Sequence, residues 1–160
     1  MNKLPVTEKG FKEINERLLG LKTKDRPEII KAIAEARALG DLSENAEYKS
    51  ARERQSFIEG KIEELEDKIA RSDVIDLTKI SGDTVKFGAN VKIVDVDTEK
   101  ESLYQIVGEY ESDIAQRKIS VSSPIARAMI GKSVGNTVEV HAPTGIKEYE
   151  ILSIKYEEHS

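Results

Sequence analysis

Apolar residues recur through the first half of the chain at alternating spacings of three and four, the signature of long amphipathic helices. Tyr48, Ala51, Gln55, Ile58, Ile62, Leu65 and Ile69 form one seam, polar only at Gln55, while Glu53, Glu59, Lys61, Glu63, Glu64 and Lys68 fall elsewhere on the same helix. Phe11, Ile14, Leu18 and Leu21 begin a matching seam upstream, which Ile29 or Ile30, Ile33 and Ala36 resume beyond Pro27. Thr7 is the expected N-cap of this first arm, with Glu8 near the positive helix end. Pro27 offers no N–H and crowds the carbonyl four residues earlier, so a kink or short restart is expected there. A full break is not, because the uninterrupted second seam needs a partner along its whole length. The pattern predicts an antiparallel coiled-coil hairpin, each arm of about 30 residues reaching on the order of 45 Å at roughly 1.5 Å rise per residue.

Beyond Asp73 the period changes. Val74 to Asp83 has the look of a linker, and short β-branched and aromatic runs then alternate with turn residues: Val85-Lys86-Phe87, Val91-Lys92-Ile93-Val94, Tyr104-Gln105-Ile106-Val107, Thr137-Val138-Glu139-Val140 and Tyr149 to Ile154. Ser123 as N-cap, Pro124 in the first turn and Gly131 as C-terminal cap predict one short helix between the third and fourth runs. The expected fold class is α+β: residues 1–77 as the helical hairpin, and residues 78–160 as a small domain with an antiparallel sheet and one short helix.

Composition narrows the partners. The 160 residues carry a formal net charge of −5. Lys and Arg against Asp and Glu number 15 against 17 up to Asp76, and 10 against 13 after it. Neither part is basic, so autonomous binding to nucleic acid by phosphate neutralisation is not expected. Cysteine is absent, which excludes disulfides, thiolate metal sites and cysteine nucleophiles. With no signal-like N-terminus and no long uncharged run, the sequence is expected to belong to a soluble, cytoplasmic protein without a membrane partner. A monomer is expected.

The hairpin's two seams are interrupted at Leu39-Gly40-Asp41-Leu42-Ser43-Glu44-Asn45-Ala46-Glu47-Tyr48, which places Asp41 and Glu44 at the far end of the projection. Two uses compete for these carboxylates. Asp41 as N-cap with Glu44 three residues later fits a capping box, with Gly40 ending the first helix and Ser43 as another possible cap. Equally, two exposed acids suit a Mg²⁺ site completed by something else, since Mg²⁺ is held by one or two protein carboxylates with waters and substrate phosphates. Arg37, Lys49, Arg52 and Arg54 lie nearby, interleaved with Glu35, Glu47 and Glu53, so a solvated helix face competes with a basic contact patch. Tyr48 is expected to support the tip by packing at the seam.

Three segments together carry a resemblance: Gly40 to Tyr48 at the tip, Arg26-Pro27-Glu28-Ile29-Ile30 in the first arm, and Ile119 to Arg127 followed by Ile130-Gly131-Lys132 in the second domain. In these segments and along essentially its whole length the chain resembles the Gre family of bacterial transcript-cleavage factors. The resemblance implies a protein that completes another enzyme's active site and is not an enzyme itself. It implies insertion of the coiled coil through the secondary channel of bacterial RNA polymerase when backtracking has extruded the nascent RNA 3′ end. Asp41 and Glu44 would then be the catalytic and metal residues, helping to hold a second Mg²⁺ that the isolated protein does not carry. Arg37 and Arg52 would form the RNA-contacting patch, and an FKBP-like second domain would dock on the polymerase through Ser123, Pro124, Ile125, Ala126 and Arg127. Two other functions remain open: a paralogue that enters the channel without promoting cleavage, which altered tip acids would signal, and a coiled-coil chaperone with a prolyl isomerase domain, against which the few aromatics of the second domain weigh.

Overall fold

The computed structural model describes residues 3–41 and 44–156, so the capping expected of Ser43 lies outside the described residues. The chain divides into two compact units: Phe11–Ser72, and Asp73 onward together with the N-terminal residues through Gly10.

The helical elements are α1 (Glu8–Gly20), a π-helical turn (Leu21–Asp25), α2 (Arg26–Arg37) and α3 (Ala46–Arg71). Thr7 does cap α1, its Oγ1 accepting from the Gly10 N–H at 3.0 Å. Pro27 leaves the arm helical, and the adjustment it needs precedes it. Proline's ring would crowd the Thr23 carbonyl, and the wider π turn opens that position, with the Arg26 N–H donating to the Leu21 carbonyl. Thr23 Oγ1 donates to the Leu19 carbonyl at 2.7 Å within the same turn, a bond of the kind that bends helices.

The expected seam residues Ile14, Leu21, Ile33, Ala36, Ala51, Ile58, Ile62 and Leu65 are buried. The open choice after Pro27 falls to Ile29, 1% exposed, against 53% for Ile30. Arg26 makes a two-pronged bond to Glu59, with Nε at 3.0 Å and Nη2 at 2.9 Å, and Lys22 pairs with Glu66 at 3.3 Å. Moving forward along the first arm matches moving backward along the second, so these pairs record an antiparallel register. Both are exposed, and such pairs contribute little to stability; the apolar seam supplies the holding force.

In the second unit, β1 (Leu4–Thr7) pairs with β2 (Ser72–Ile75). The Glu111 carboxylate clasps the end of β1: it accepts from the N–H and Oγ1 of Thr7, and from the Gly108 N–H at 2.9 Å. Gly10 leaves room for this clasp, since a Cβ there would displace the Glu111 side chain. These contacts join β1 to the second unit. Residues 3–10 group with the second unit, to which Thr7 is tied through Glu111, and the division later in the chain falls between Ser72 and Asp73.

The main sheet contains β3 (Asn90–Asp95), β4 (Glu101–Val107), β5 (Lys118–Ser120), β6 (Thr137–Ala142) and β7 (Gly145–Lys155) in the order β5-β4-β3-β7-β6. It is antiparallel from β4 through β6, while the short β5 adds parallel to the β4 edge. A bulge interrupts the β3–β7 register between Lys92 and Ile93. The helix α4 (Pro124–Met129) closes one face, its Ala126 and Met129 joining Val85, Val91, Ile93, Ile106, Ile119 and Ile151 in the core. Val85-Lys86-Phe87, expected as a strand, forms none. A single bridge links Thr84 to Ser133, and Val85 exchanges hydrogen bonds with Gly131 and Lys132, so this segment is stitched to the turn after α4. The expected linker likewise takes in the end of β2 and a 3₁₀ turn at Leu77–Lys79, whose Leu77 is buried. No helix among the described residues is long and apolar enough to cross a membrane.

Two glycines should respond to alanine in opposite senses. Gly60 sits within α3 with open space where a Cβ would stand, so Gly60→Ala should raise stability by about 0.5–1 kcal/mol. Gly88 has φ +85°, and its Cβ would collide with Leu77 Cδ2. Gly88→Ala should lower stability by roughly 1–3 kcal/mol. Urea unfolding followed by circular dichroism on the whole chain reads both, and matching shifts of one sign would contradict this placement.

Candidate functional site

The hairpin tip is built from the ends of α2 and α3. Past the last turn of α2 the Leu39 N–H donates to the Ala36 carbonyl at 3.1 Å, and the Gly40 N–H to the Arg37 carbonyl at 3.4 Å. Gly40 then takes φ +129°, a region that side chains disfavour, which redirects the chain as expected of the residue ending the first arm. The cap of α3 differs from the expected one. It is Asn45 and not Asp41: the Asn45 Oδ1 accepts from the Tyr48 N–H at 3.0 Å, and α3 begins at Ala46. A capping box that starts at Asp41 would set the helix four residues too early. The same Asn45 side chain turns its Nδ2 to the Ala36 carbonyl at 2.6 Å. Its sequence signal was an asparagine directly before Ala46-Glu47-Tyr48, a favoured N-cap residue that the more conspicuous acids obscured.

Asp41 and Glu44 are both exposed, and the Glu44 N–H donates to the Asp41 carbonyl at 3.4 Å. Together with Leu39, Asn45, Ala46 and Glu47 they line one shallow, open depression. Among the described residues no group of three or more His, Cys, Asp or Glu side chains is placed to hold a metal ion. The donor set at the tip is two hard carboxylate groups on an open surface. That set fits a Mg²⁺ whose remaining ligands are waters and phosphate oxygens, and does not fit a self-sufficient cage.

On the neighbouring surface the Arg37 guanidinium lies over the Tyr48 ring, 5.8 Å from its centroid, within cation–π range. Tyr48 is half-buried and belongs to the support of the tip, as its seam position suggests. Arg52 is exposed one turn further along α3, on the strip that Tyr48 occupies, so the two predicted arginines are brought to one side. Arg54 instead lines a cleft between the arms with Ala32, Glu35, Ala36 and Ala51.

The second-unit candidates separate by burial. Ser123 caps α4, accepting from the Ala126 N–H at 3.3 Å while its Oγ donates to the Ser120 carbonyl at 2.7 Å. Ala126 is 0% exposed, so it is a core residue and drops out of any contact surface. Ile125 is half-buried against the core, which leaves Pro124 and Arg127 as the exposed members of the set.

Family models place the chain. One described as "Transcription elongation factor, N-terminal" matches residues 4–74, and one described as "Transcription elongation factor, GreA/GreB, C-term" matches residues 80–156. The transcription elongation factor GreA of Maricaulis maris is 62% identical over 156 residues, covering 98% of this chain and 99% of the relative. That of Caulobacter vibrioides is 59% identical with the same coverage, and that of Rickettsia prowazekii 56% identical, covering 98% and 96%. Among solved structures, the GreA factor homolog 1 protein of Thermus thermophilus is 23% identical, covering 96% of this chain and 99% of that one at a TM-score of 0.45. With both family models matched in chain order, and such identity sustained over nearly the whole length, the chain belongs to the GreA/GreB family of transcription elongation factors.

Proposed function

We propose that this protein acts on backtracked bacterial RNA polymerase in the cytoplasm, inserting its helical hairpin through the secondary channel and stimulating cleavage of the nascent RNA 3′ end. The observation that carries this reading is the exposure of Asp41 and Glu44 at the tip, together with the assignment of the α3 cap to Asn45. An acid whose purpose was to start the helix would sit at the cap. These two sit beyond it, on a surface open to whatever the arm reaches.

The tip brings two carboxylates to the reaction, and its sequence from Leu39 to Tyr48 contains no His, Cys or Lys. Asp41 and Glu44 would hold a Mg²⁺ shared with the polymerase and the RNA. When bound, that ion supplies charge stabilisation to the reacting phosphodiester and lowers the pKa of an associated water. Arg37, steadied over Tyr48, and Arg52 along the same strip would face the extruded RNA backbone, where a guanidinium pairs with phosphate and fixes its line of approach. Pro124 and Arg127 on the exposed side of α4 would contact the polymerase and set how long the factor stays. The chain is thus an activator and not an enzyme, because cleavage needs the tip, the polymerase's own acids and a backtracked RNA at once.

Three measurements separate these roles. Asp41→Asn and Glu44→Gln should keep the melting temperature and the factor concentration giving half-maximal effect, yet lower transcript cleavage in a backtracked complex at least about 100-fold. Cleavage at the normal rate by both amide variants would remove the acids from the chemistry. Arg127→Ala should do the reverse, raising the half-maximal concentration several-fold at an unchanged maximal rate; an unchanged concentration dependence would move docking elsewhere. Titration calorimetry of the isolated protein with Mg²⁺ should give no stoichiometric micromolar site, and finding one would contradict a shared metal.

A further inference from the structure

The Asn45 amide touches both arms of the hairpin, and the two contacts use its two ends. Oδ1 faces the Tyr48 N–H, a donor only, and Nδ2 faces the Ala36 carbonyl, an acceptor only. Rotating the amide by half a turn would set its NH₂ against an N–H and its oxygen against a carbonyl, so one orientation alone satisfies both. Both anchor points are firm: Ala36 is buried on the seam, and Tyr48 lies under Arg37. The backbone at position 45 is therefore fixed relative to the arms. Glu44 is its peptide-bonded neighbour, and Asp41 is tied to Glu44 through the Glu44 N–H to Asp41 carbonyl bond. Side chains that merely cap would not do the same. Serine keeps an acceptor for the Tyr48 N–H but has no second arm to reach Ala36. Aspartate keeps the acceptor and turns a second oxygen toward the Ala36 carbonyl, where two acceptors repel.

We propose that Asn45 is a positioning residue for transcript cleavage: by spanning from the start of α3 to the end of α2 it holds Glu44, and Asp41 bonded to it, in the one placement from which they can act. This rests on the role proposed above for the two acids. Misplacing a reacting group by about 1 Å costs on the order of 100-fold in rate, so a brace that leaves the fold untouched can still govern activity.

The test uses the full-length chain on a backtracked polymerase complex, comparing wild type, Asn45→Ser, Asn45→Asp and Asp41→Asn. Asn45→Ser and Asn45→Asp should retain helical content and the half-maximal factor concentration, while the maximal cleavage rate falls about 10-fold or more. Asn45→Ser should also need several-fold more Mg²⁺ for half its maximal rate, a change that weaker docking would not produce. A wild-type maximal rate and Mg²⁺ dependence in Asn45→Ser, alongside an inactive Asp41→Asn, would overturn the brace and leave the acids' role standing. Loss of helical content and of binding together in both Asn45 variants would also overturn it, since Asn45 would then serve folding alone. Normal cleavage by Asp41→Asn would instead overturn the underlying reading of the acids.

Discussion

A two-helix arm has one apolar stripe per helix and no third layer, so everything at its far end depends on those stripes staying closed against each other. Ile29, Ile33 and Ala36 on one side and Ala51, Ile58, Ile62 and Leu65 on the other provide that closure. Near the tip the stripe shrinks to Ala36 and Ala51, which line the same cleft. Small residues let two backbones come near each other. That nearness brings the last carbonyls of α2 within reach of a short amide on the first residue before α3, so the choice of alanine in the seam and of asparagine at the cap belong to one design.

The division of labour at the tip follows from the same geometry. Helix starts need a side-chain acceptor, and most sequences meet that need with the nearest Ser, Thr, Asp or Asn. Here the need is met by a neutral residue, and the charged ones stand outside the cap. A carboxylate committed to the N–H groups of a helix start is a poorer ligand for a cation, since the same lone pairs serve both. With the cap on Asn45, the Tyr48 N–H is met by a neutral side chain.

What the sequence disclosed and what it hid divide along the range of the interactions. Heptad spacing exposed the seam from Phe11 to Ile69 because burial there is decided by each helix's own periodicity, and the caps at Thr7 and Ser123 were legible for the same local reason. Gly131 also takes the positive φ expected of it. The strands of three and four residues, β1, β2 and β5, were not legible. A strand that short carries no period, and each exists only because a distant segment pairs with it: β1 through β2 and the Glu111 clasp, β5 through the parallel edge of β4. At the tip, the acids were conspicuous by charge. Asn45 was not, because its importance lies in having two different ends, and only the placement of Ala36 nine positions earlier reveals the use of the second.

The π-helical turn at Leu21–Asp25 has a consequence for how such an arm can be tuned. In a straight α-helix each residue adds rise and rotation in fixed proportion, roughly 100° for every 1.5 Å, so lengthening the arm would also swing its end around the axis. The seam steps from Leu21 to Ile29, one residue more than two ordinary turns require, and the wide turn absorbs the surplus. Reach and azimuth are thereby uncoupled: whole turns set how far the end projects, and this single wide turn sets which way it points. An arm built on Pro27 carries its own angular adjustment, placed well away from the residues whose direction it decides.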